Sequence, residues 1–304
     1  MQLGFVSLIL RDLPVDGVLR FAAEHGFDCV ELMCWPAGSG GVTHIDVDAL
    51  DAAAVRRLQR LARDTGVRIA SLGYYANPLT DDEDVRSAAI AHIRTVMEAT
   101  ADLGVPIMNT YVGRDPKRTV DENWPLFEAT WIPLIAHAER LGIRVGTENC
   151  PMLFSDREWP GGLNLTTTPA IWREMFDRIG SANFGLVFDP SHLLWLGIDH
   201  LRALREFADR LVTVQIKDEK IDQERLYERG VMGLGWHHPK IPGLGSIDWA
   251  EFWRTLEAIG YGGDVLLEVQ DRSFGSDLEG RARATLEAKR HVELARSEGG
   301  FVDA

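Results

Sequence analysis

Four side chains with hard oxygen donors stand where apolar runs of the chain end. Glu148 follows Arg144-Val145-Gly146-Thr147, Asp189 follows Phe184-Gly185-Leu186-Val187-Phe188, Gln215 lies in Leu211-Val212-Thr213-Val214-Gln215-Ile216, and Glu268 follows Asp264-Val265-Leu266-Leu267. Three carboxylates and an amide oxygen suit Mn²⁺ or Mg²⁺ and are poor for copper or structural zinc. Three such carboxylates in a low dielectric stay ionised together only if a cation joins them; otherwise one takes up a proton. The predicted cofactor is one divalent metal, manganese first, with magnesium or cobalt as alternatives.

Pro190-Ser191-His192 follows Asp189, and proline cannot continue a ladder, so carboxylate and imidazole leave one strand end within a tight turn. That pair suits a metal or a sugar hydroxyl. It equally suits an aspartate capping the next helix beside a loop histidine. Lys217 and Asp218 read either as site residues or as a structural ion pair. His237 and His238, after Trp236 in a long loop, either reach over the pocket or face solvent.

The elements that must position these residues form a regular alternation. Strand-like runs at 3–8, 29–33, 68–74, 106–111, 144–150, 184–188, 211–218 and 264–269 each precede a helical pattern. The helices read as 15–25, 48–65, 84–103, 121–141, one opened by Thr168-Pro169 and closed by Gly180, 199–208, one starting at 247–249, and 277–296. Between them lie a glycine-rich loop at Gly38-Ser39-Gly40-Gly41, a polar loop with Trp159, Gly161 and Gly162, and the longest connection, 219–246. Eight cycles predict an α/β fold, a single (β/α)8 TIM barrel over residues 1–304. An open doubly wound sheet is the runner-up, but its glycine-rich phosphate loop is missing after the first strand. In a barrel, chemistry sits at the C-terminal ends of the strands, which puts the four donors on one arc of the rim.

Composition narrows the partners. With 45% hydrophobic and 26% charged residues among 304, and a mean hydropathy of −0.10, the chain reads as an ordinary soluble protein. No run approaches a membrane span, and Met1-Gln2-Leu3-Gly4-Phe5 lacks the basic start of a signal peptide, so a cytoplasmic protein with no membrane partner is expected. Cys29, Cys34 and Cys150 are odd in number and scattered, as buried or pocket-lining thiols of a reducing compartment would be. A net charge of −14 without a basic groove speaks against nucleic acid.

The segments Thr147-Glu148-Asn149, Phe188-Asp189-Pro190-Ser191-His192, Gln215-Ile216-Lys217-Asp218, Leu267-Glu268 and Pro242-Gly243-Leu244-Gly245-Ser246-Ile247-Asp248-Trp249 occur in this order. In order and spacing they resemble, over nearly the whole chain, the xylose isomerase-like barrel family. Ketose 3-epimerases, hydroxypyruvate isomerase, inosose dehydratase and endonuclease IV belong to it. The resemblance implies that Glu148, Asp189, Gln215 and Glu268 hold the metal, that Glu148 and Glu268 double as acid and base, and that His192 binds a substrate oxygen. It also implies assembly as a homodimer or homotetramer. Two departures stand out: many members have histidine where this chain has Gln215, and the common Glu-His-Glu-Asp ending of the last strand is here Glu268-Val269-Gln270-Asp271. The extra strand-end histidines of endonuclease IV are not found.

The function expected from this is a metal-dependent sugar isomerase or epimerase that abstracts a proton next to the carbonyl of a ketose or keto-sugar. A lyase is the alternative, dehydrating an inosose or expelling the aglycone of a 3-keto-glycoside, with His237 and His238 as candidate acids. A non-catalytic sugar-binding barrel ranks low because all three carboxylates are present. His192, Lys217, His237 and His238 are candidate substrate contacts; Trp35, Tyr74, Asn109, Tyr111 and Trp195 are either walls for a sugar or packing. Arg114 and Lys117 are the phosphate candidates, and an unphosphorylated sugar is favoured.

Overall fold

The computed structural model describes residues 1–153, 161–231 and 233–299, so Trp159 lies outside the described residues. Its strands are β1 (Gln2–Val6), β2 (Cys29–Met33), β3 (Arg68–Tyr74), β4 (Ile107–Thr110), β5 (Arg144–Glu148), β6 (Phe184–Phe188), β7 (Leu211–Ile216), β8 (Asp218–Ile221), β9 (His237–Lys240) and β10 (Asp264–Leu267). Eight close into a parallel barrel in the order β1-β10-β7-β6-β5-β4-β3-β2, while β8 and β9 form a separate antiparallel pair. The (β/α)8 architecture read from the sequence is the one observed.

The helices are α1 (Val15–Glu24), α2 (Ala52–Thr65), α3 (Glu83–Leu103), α4 (Val120–Leu141), α5 (Pro169–Ile179), α6 (Pro190–Trp195), α7 (His200–Glu206), α8 (Gln223–Arg229), α9 (Trp249–Ala258) and α10 (Leu278–Gly299). Their boundaries follow local chemistry. Asp51, Asp82, Asp199 and Asp248 each accept a backbone N–H of the first turn, and Thr119 with Glu122 forms a reciprocal cap on α4. Gly104 and Gly142 end α3 and α4 at φ 71° and 70°, where a β-carbon would be strained.

Strands covered on both faces are apolar along their length, as in β6, where all five residues are buried. Trp131, Trp172 and Trp253 fill the layer between barrel and helices. Inside the barrel, Val6, Cys29, Met33, Ala70 and Leu266 form a small apolar cluster. Across from it the interior is polar, lined by Glu31, Ser71, Asn109 and Thr213, all buried.

Two features depart from expectation. The segment 189–198, read as a turn before its helix, contains the extra short helix α6. The loop 219–246 carries β8, α8 and β9 rather than irregular chain. No helix among the described residues is long and apolar enough to cross a membrane.

Candidate metal centre

Each of the four donors sits at or just past the end of a barrel strand, and the local sequence aims it. Asp189 is the N-cap of α6, its Oδ1 accepting the Ser191 N–H at 2.8 Å. Both readings of this residue therefore hold at once: one oxygen caps a helix and the other, Oδ2, turns to the barrel mouth. Asn149 locks that turn, accepting Asp189 N–H at 2.7 Å and donating to Asp189 O at 2.8 Å. Gly146, two residues before Glu148, is required by close packing, because a β-carbon there would stand 2.6 Å from Asn109 Oδ1.

One oxygen from each of Glu148, Asp189 and Glu268 lies within 4.8 Å of the other two. Glu148 Oε1 and Gln215 Oε1 are buried and accept no hydrogen bond from the described residues. Such bare acceptors cost about 1–3 kcal/mol each when nothing replaces their water. Lys217 reaches in from β7's exit: its Nζ donates to Glu268 Oε2 at 3.0 Å and lies 2.8 Å from Asp189 Oδ2. His192 Nε2 is 3.2 Å from Asp189 Oδ2 and 3.3 Å from Glu148 Oε1. Trp195 donates its indole N–H to His192 Nδ1 at 3.4 Å. Lys217 Nζ lies at hydrogen-bond distance, 2.9 Å, from His192 Nε2, so the ring is held between the indole and the ammonium.

The electrostatics divide the acids. Burial pushes the Glu148 carboxyl well above its usual range, and nearby Glu268 adds to this against the pull of Lys217. Burial acts on Asp189 in the same sense, but Lys217 and His192 outweigh it and hold that carboxyl below its usual value. Burial disfavours the charge on Lys217, yet Asp189, Glu268 and Glu148 raise its pKa well above that of a free lysine.

Glu31 on β2 is a fourth acid that the sequence reading passed over. It is fully buried and accepts Ser71 Oγ and Tyr75 Oη, each at 2.6 Å, and the Asn109 amide. Burial raises its carboxyl above the usual range against those three bonds. Tyr75 Oη in turn accepts Gln215 Nε2 at 3.4 Å, which turns the amide so that Oε1 is free to face the acids. The rim sets three carboxylates against the one ammonium of Lys217, an excess of acid that a divalent cation would balance. The donor set and its bare oxygens fit such a cation, with Glu148, Asp189, Gln215 and Glu268 as the residues that would hold it. Cys150 Sγ, a Glu148 oxygen and a His192 nitrogen also lie within 4.8 Å of one another, giving the centre one softer edge.

The remaining candidates separate cleanly. Tyr74 packs away from the acids, edge-on between Trp35 and His92, and Trp35 lies with it. Its neighbour Tyr75 faces the centre and packs on Tyr111. Side chains alternate along a strand, so Tyr74 takes the packing role and its neighbour turns to the other face. Asn109 is buried in the layer beneath the rim, holding Glu31, Ser71 and Thr213 rather than offering a surface. His237 stacks on Trp195 with ring centroids 4.6 Å apart, while His238 lines a separate bay beside Gln270. Of the Lys217-Asp218 pair, only Lys217 joins the centre; the Asp218 carboxylate accepts six N–H groups, one from Glu219, four from the loop returning to α9 and one from the Trp249 indole. Arg114 donates to the Gly161 and Arg118 carbonyls and Lys117 pairs with Asp81, so neither phosphate candidate faces the centre. Gln270, where the familiar strand ending differs, donates its amide to Glu268 Oε1 and steadies that carboxylate.

Residues 19–294 match the family model described as xylose isomerase-like TIM barrel. A Bacillus subtilis protein, YfiH, is 26% identical over 95% of this chain and 98% of its own. An inosose dehydratase of Lacticaseibacillus casei is 24% identical over 75% of this chain and 76% of its own. Among solved structures, L-ribulose 3-epimerase superposes with a TM-score of 0.71 at 20% identity, covering 100% of this chain and 98% of the other. The IolI protein, solved with a zinc atom, superposes with a TM-score of 0.72 at 18% identity, covering 99% and 100%.

Proposed function

The chain belongs to the xylose isomerase-like TIM barrel family, and from that premise we propose that it is a sugar-modifying enzyme which moves a proton at a carbon beside a carbonyl. The observation that carries this reading is the convergence of buried oxygens from Glu148, Asp189 and Gln215 on Glu268, with Lys217, His192 and Gln270 as the donors around them. A divalent cation, manganese by the hardness of the donors, would supply Lewis acidity to the substrate carbonyl.

The chain's own residues divide the remaining work. Glu148 and Glu268 come from β5 and from the end of β10, so they meet a substrate from different sides. One removes the proton, leaving an enediolate; the other returns a proton to the opposite face in an epimerisation or to the neighbouring carbon in an isomerisation. Burial raises the Glu148 carboxyl above its usual range, the direction a proton donor in such a pair requires. Lys217 keeps its charge throughout and lowers the energy of negative oxygen near Asp189 and Glu268. His192, beside Glu148 and Asp189, is placed to hydrogen-bond a substrate hydroxyl.

The L-ribulose 3-epimerase fold match and the inosose dehydratase relative support sugar chemistry of this type. The dehydratase similarity, spread over three quarters of the chain, also favours a second reading: the same enediolate expels a β-leaving group.

The deciding measurement is NMR of ketoses and keto-sugars incubated in D₂O with stripped protein and with protein loaded with Mn²⁺ or Mg²⁺, the metal being removed before acquisition. Metal-dependent deuterium uptake beside a carbonyl is expected, and the product separates epimer from dehydrated sugar. Absence of exchange across the panel, in protein that binds the metal, would overturn the proposal.

A further inference from the structure

A bay of about 1020 Å³ opens on the C-terminal face where the first and last barrel strands meet. Four cations line it, Arg11, Lys240, Arg272 and Arg281, against two acids, Asp12 and Asp271. Both acids are already used: Asp271 pairs with Lys240 at 3.1 Å, and Asp12 pairs with Arg281. Arg281 also donates to the Ile9 and Ser276 carbonyls, so it holds the rim together. Arg11 and Arg272 are exposed and have no carboxylate partner among the described residues. In a chain of net charge −14, two uncommitted guanidiniums in one concavity form a local positive field that concentrates anions.

The bay shares a wall with the metal centre. Gln270 lines it and donates to Glu268 Oε1. Arg272 follows Glu268 by four residues, at most about 14 Å along an extended chain. Arg11 lies just past the exit of β1, whose Phe5 is in register with Leu267. A substrate with its carbonyl by Glu268 and its chain running past Gln270 would bring its far end into this bay.

Resting on the carbonyl chemistry proposed above, we infer that the substrate is an anionic keto-sugar, bearing a carboxylate or phosphate at the end remote from the carbonyl, and that Arg11 and Arg272 bind that group. Guanidinium forks are suited to either anion. A phosphate at that end would depart from the unphosphorylated sugar that the sequence favoured.

The test compares D-fructose, D-fructuronate and D-fructose 6-phosphate, which differ only at the terminal carbon, by calorimetric titration of metal-loaded protein and by deuterium exchange. At least one anion is expected to bind roughly tenfold or more tightly than fructose, with the advantage shrinking at high salt. Which anion gains separates carboxylate from phosphate. Arg11→Ala with Arg272→Ala, at exposed positions, is expected to erase the advantage and leave fructose binding and Mn²⁺ affinity unchanged; the lysine pair should restore part of it. Equal binding of all three sugars, failure of both anions to bind, or equal losses for charged and neutral sugar in the alanine pair would each overturn the inference. If the anions bind preferentially but no sugar exchanges deuterium, the anion site stands and the proton-transfer reading falls.

Discussion

Asp189 and Asp218 follow neighbouring barrel strands, both with no exposed surface, yet their surroundings are opposite. The Asp218 carboxylate accepts N–H groups of Glu219, Gly243, Gly245, Ser246 and Ile247 and the Trp249 indole, at 2.9–3.2 Å. Gly245 has no side chain because a β-carbon there would lie 2.1 Å from Asp218 Oδ1. Asp189 accepts one backbone N–H and turns Oδ2 to the side chains of Lys217 and His192. A buried carboxylate saturated with backbone and indole donors serves the fold; one whose second oxygen meets only charged side chains at a rim is available to a ligand.

The comparison predicts opposite responses to mutation. Glu148→Gln or Glu268→Gln should lower metal-dependent deuterium exchange by about 10²- to 10⁴-fold while the protein remains folded by circular dichroism. Loss of exchange only in step with loss of fold would break the distinction. Asp218→Ala should do the reverse, costing about 3 kcal/mol or more in urea unfolding because six donors lose one acceptor. Mn²⁺ affinity per folded molecule should hardly change.

Tyr75→Phe tests the support beneath the centre. Without the Tyr75 hydroxyl the Gln215 amide loses the partner that orients it, and metal affinity measured by calorimetry should fall about tenfold. An unchanged affinity would mean that the amide is held by other contacts.

The smallest effect concerns pH. The folded pKa of Glu148 lies above its unfolded value, so its contribution to stability is present below the ordinary glutamate range and is lost as pH rises through the raised value. Metal-free protein should therefore melt a few degrees lower as pH rises across that window. Glu148→Gln should flatten this slope and melt at or above wild type without metal, while losing most of the stabilisation that metal gives.

Much of this was legible in the chain. β2, β3 and β6 span the residues expected for them, since short apolar runs bounded by turn signals have few other solutions in an α/β protein. The rim acids could be found because barrel strands end where chemistry sits. Glu31 escaped notice since it lies mid-strand in Cys29-Val30-Glu31-Leu32-Met33, where nothing local marks an acid as facing the barrel interior. Tyr75 was missed by one residue, because the inward face of a strand depends on register with its neighbours. The hairpin of β8 and β9 was invisible for a similar reason: its partners are separated by α8, and His237-His238-Pro239-Lys240 has no strand-like alternation of its own.

By itself, the sequence determined the order of strands and helices, the caps that bound them, and the donors that stand at strand exits, because each depends on contacts within a few residues. Only the tertiary structure decided which of two aspartates, on neighbouring strands, faces the charged rim, that Gln215 is turned by Tyr75 above a buried Glu31, and that two arginines with no carboxylate partner among the described residues share a bay beside Glu268. Those depend on how distant segments close around one another, and burial and charge are properties of that closure rather than of any single stretch of chain.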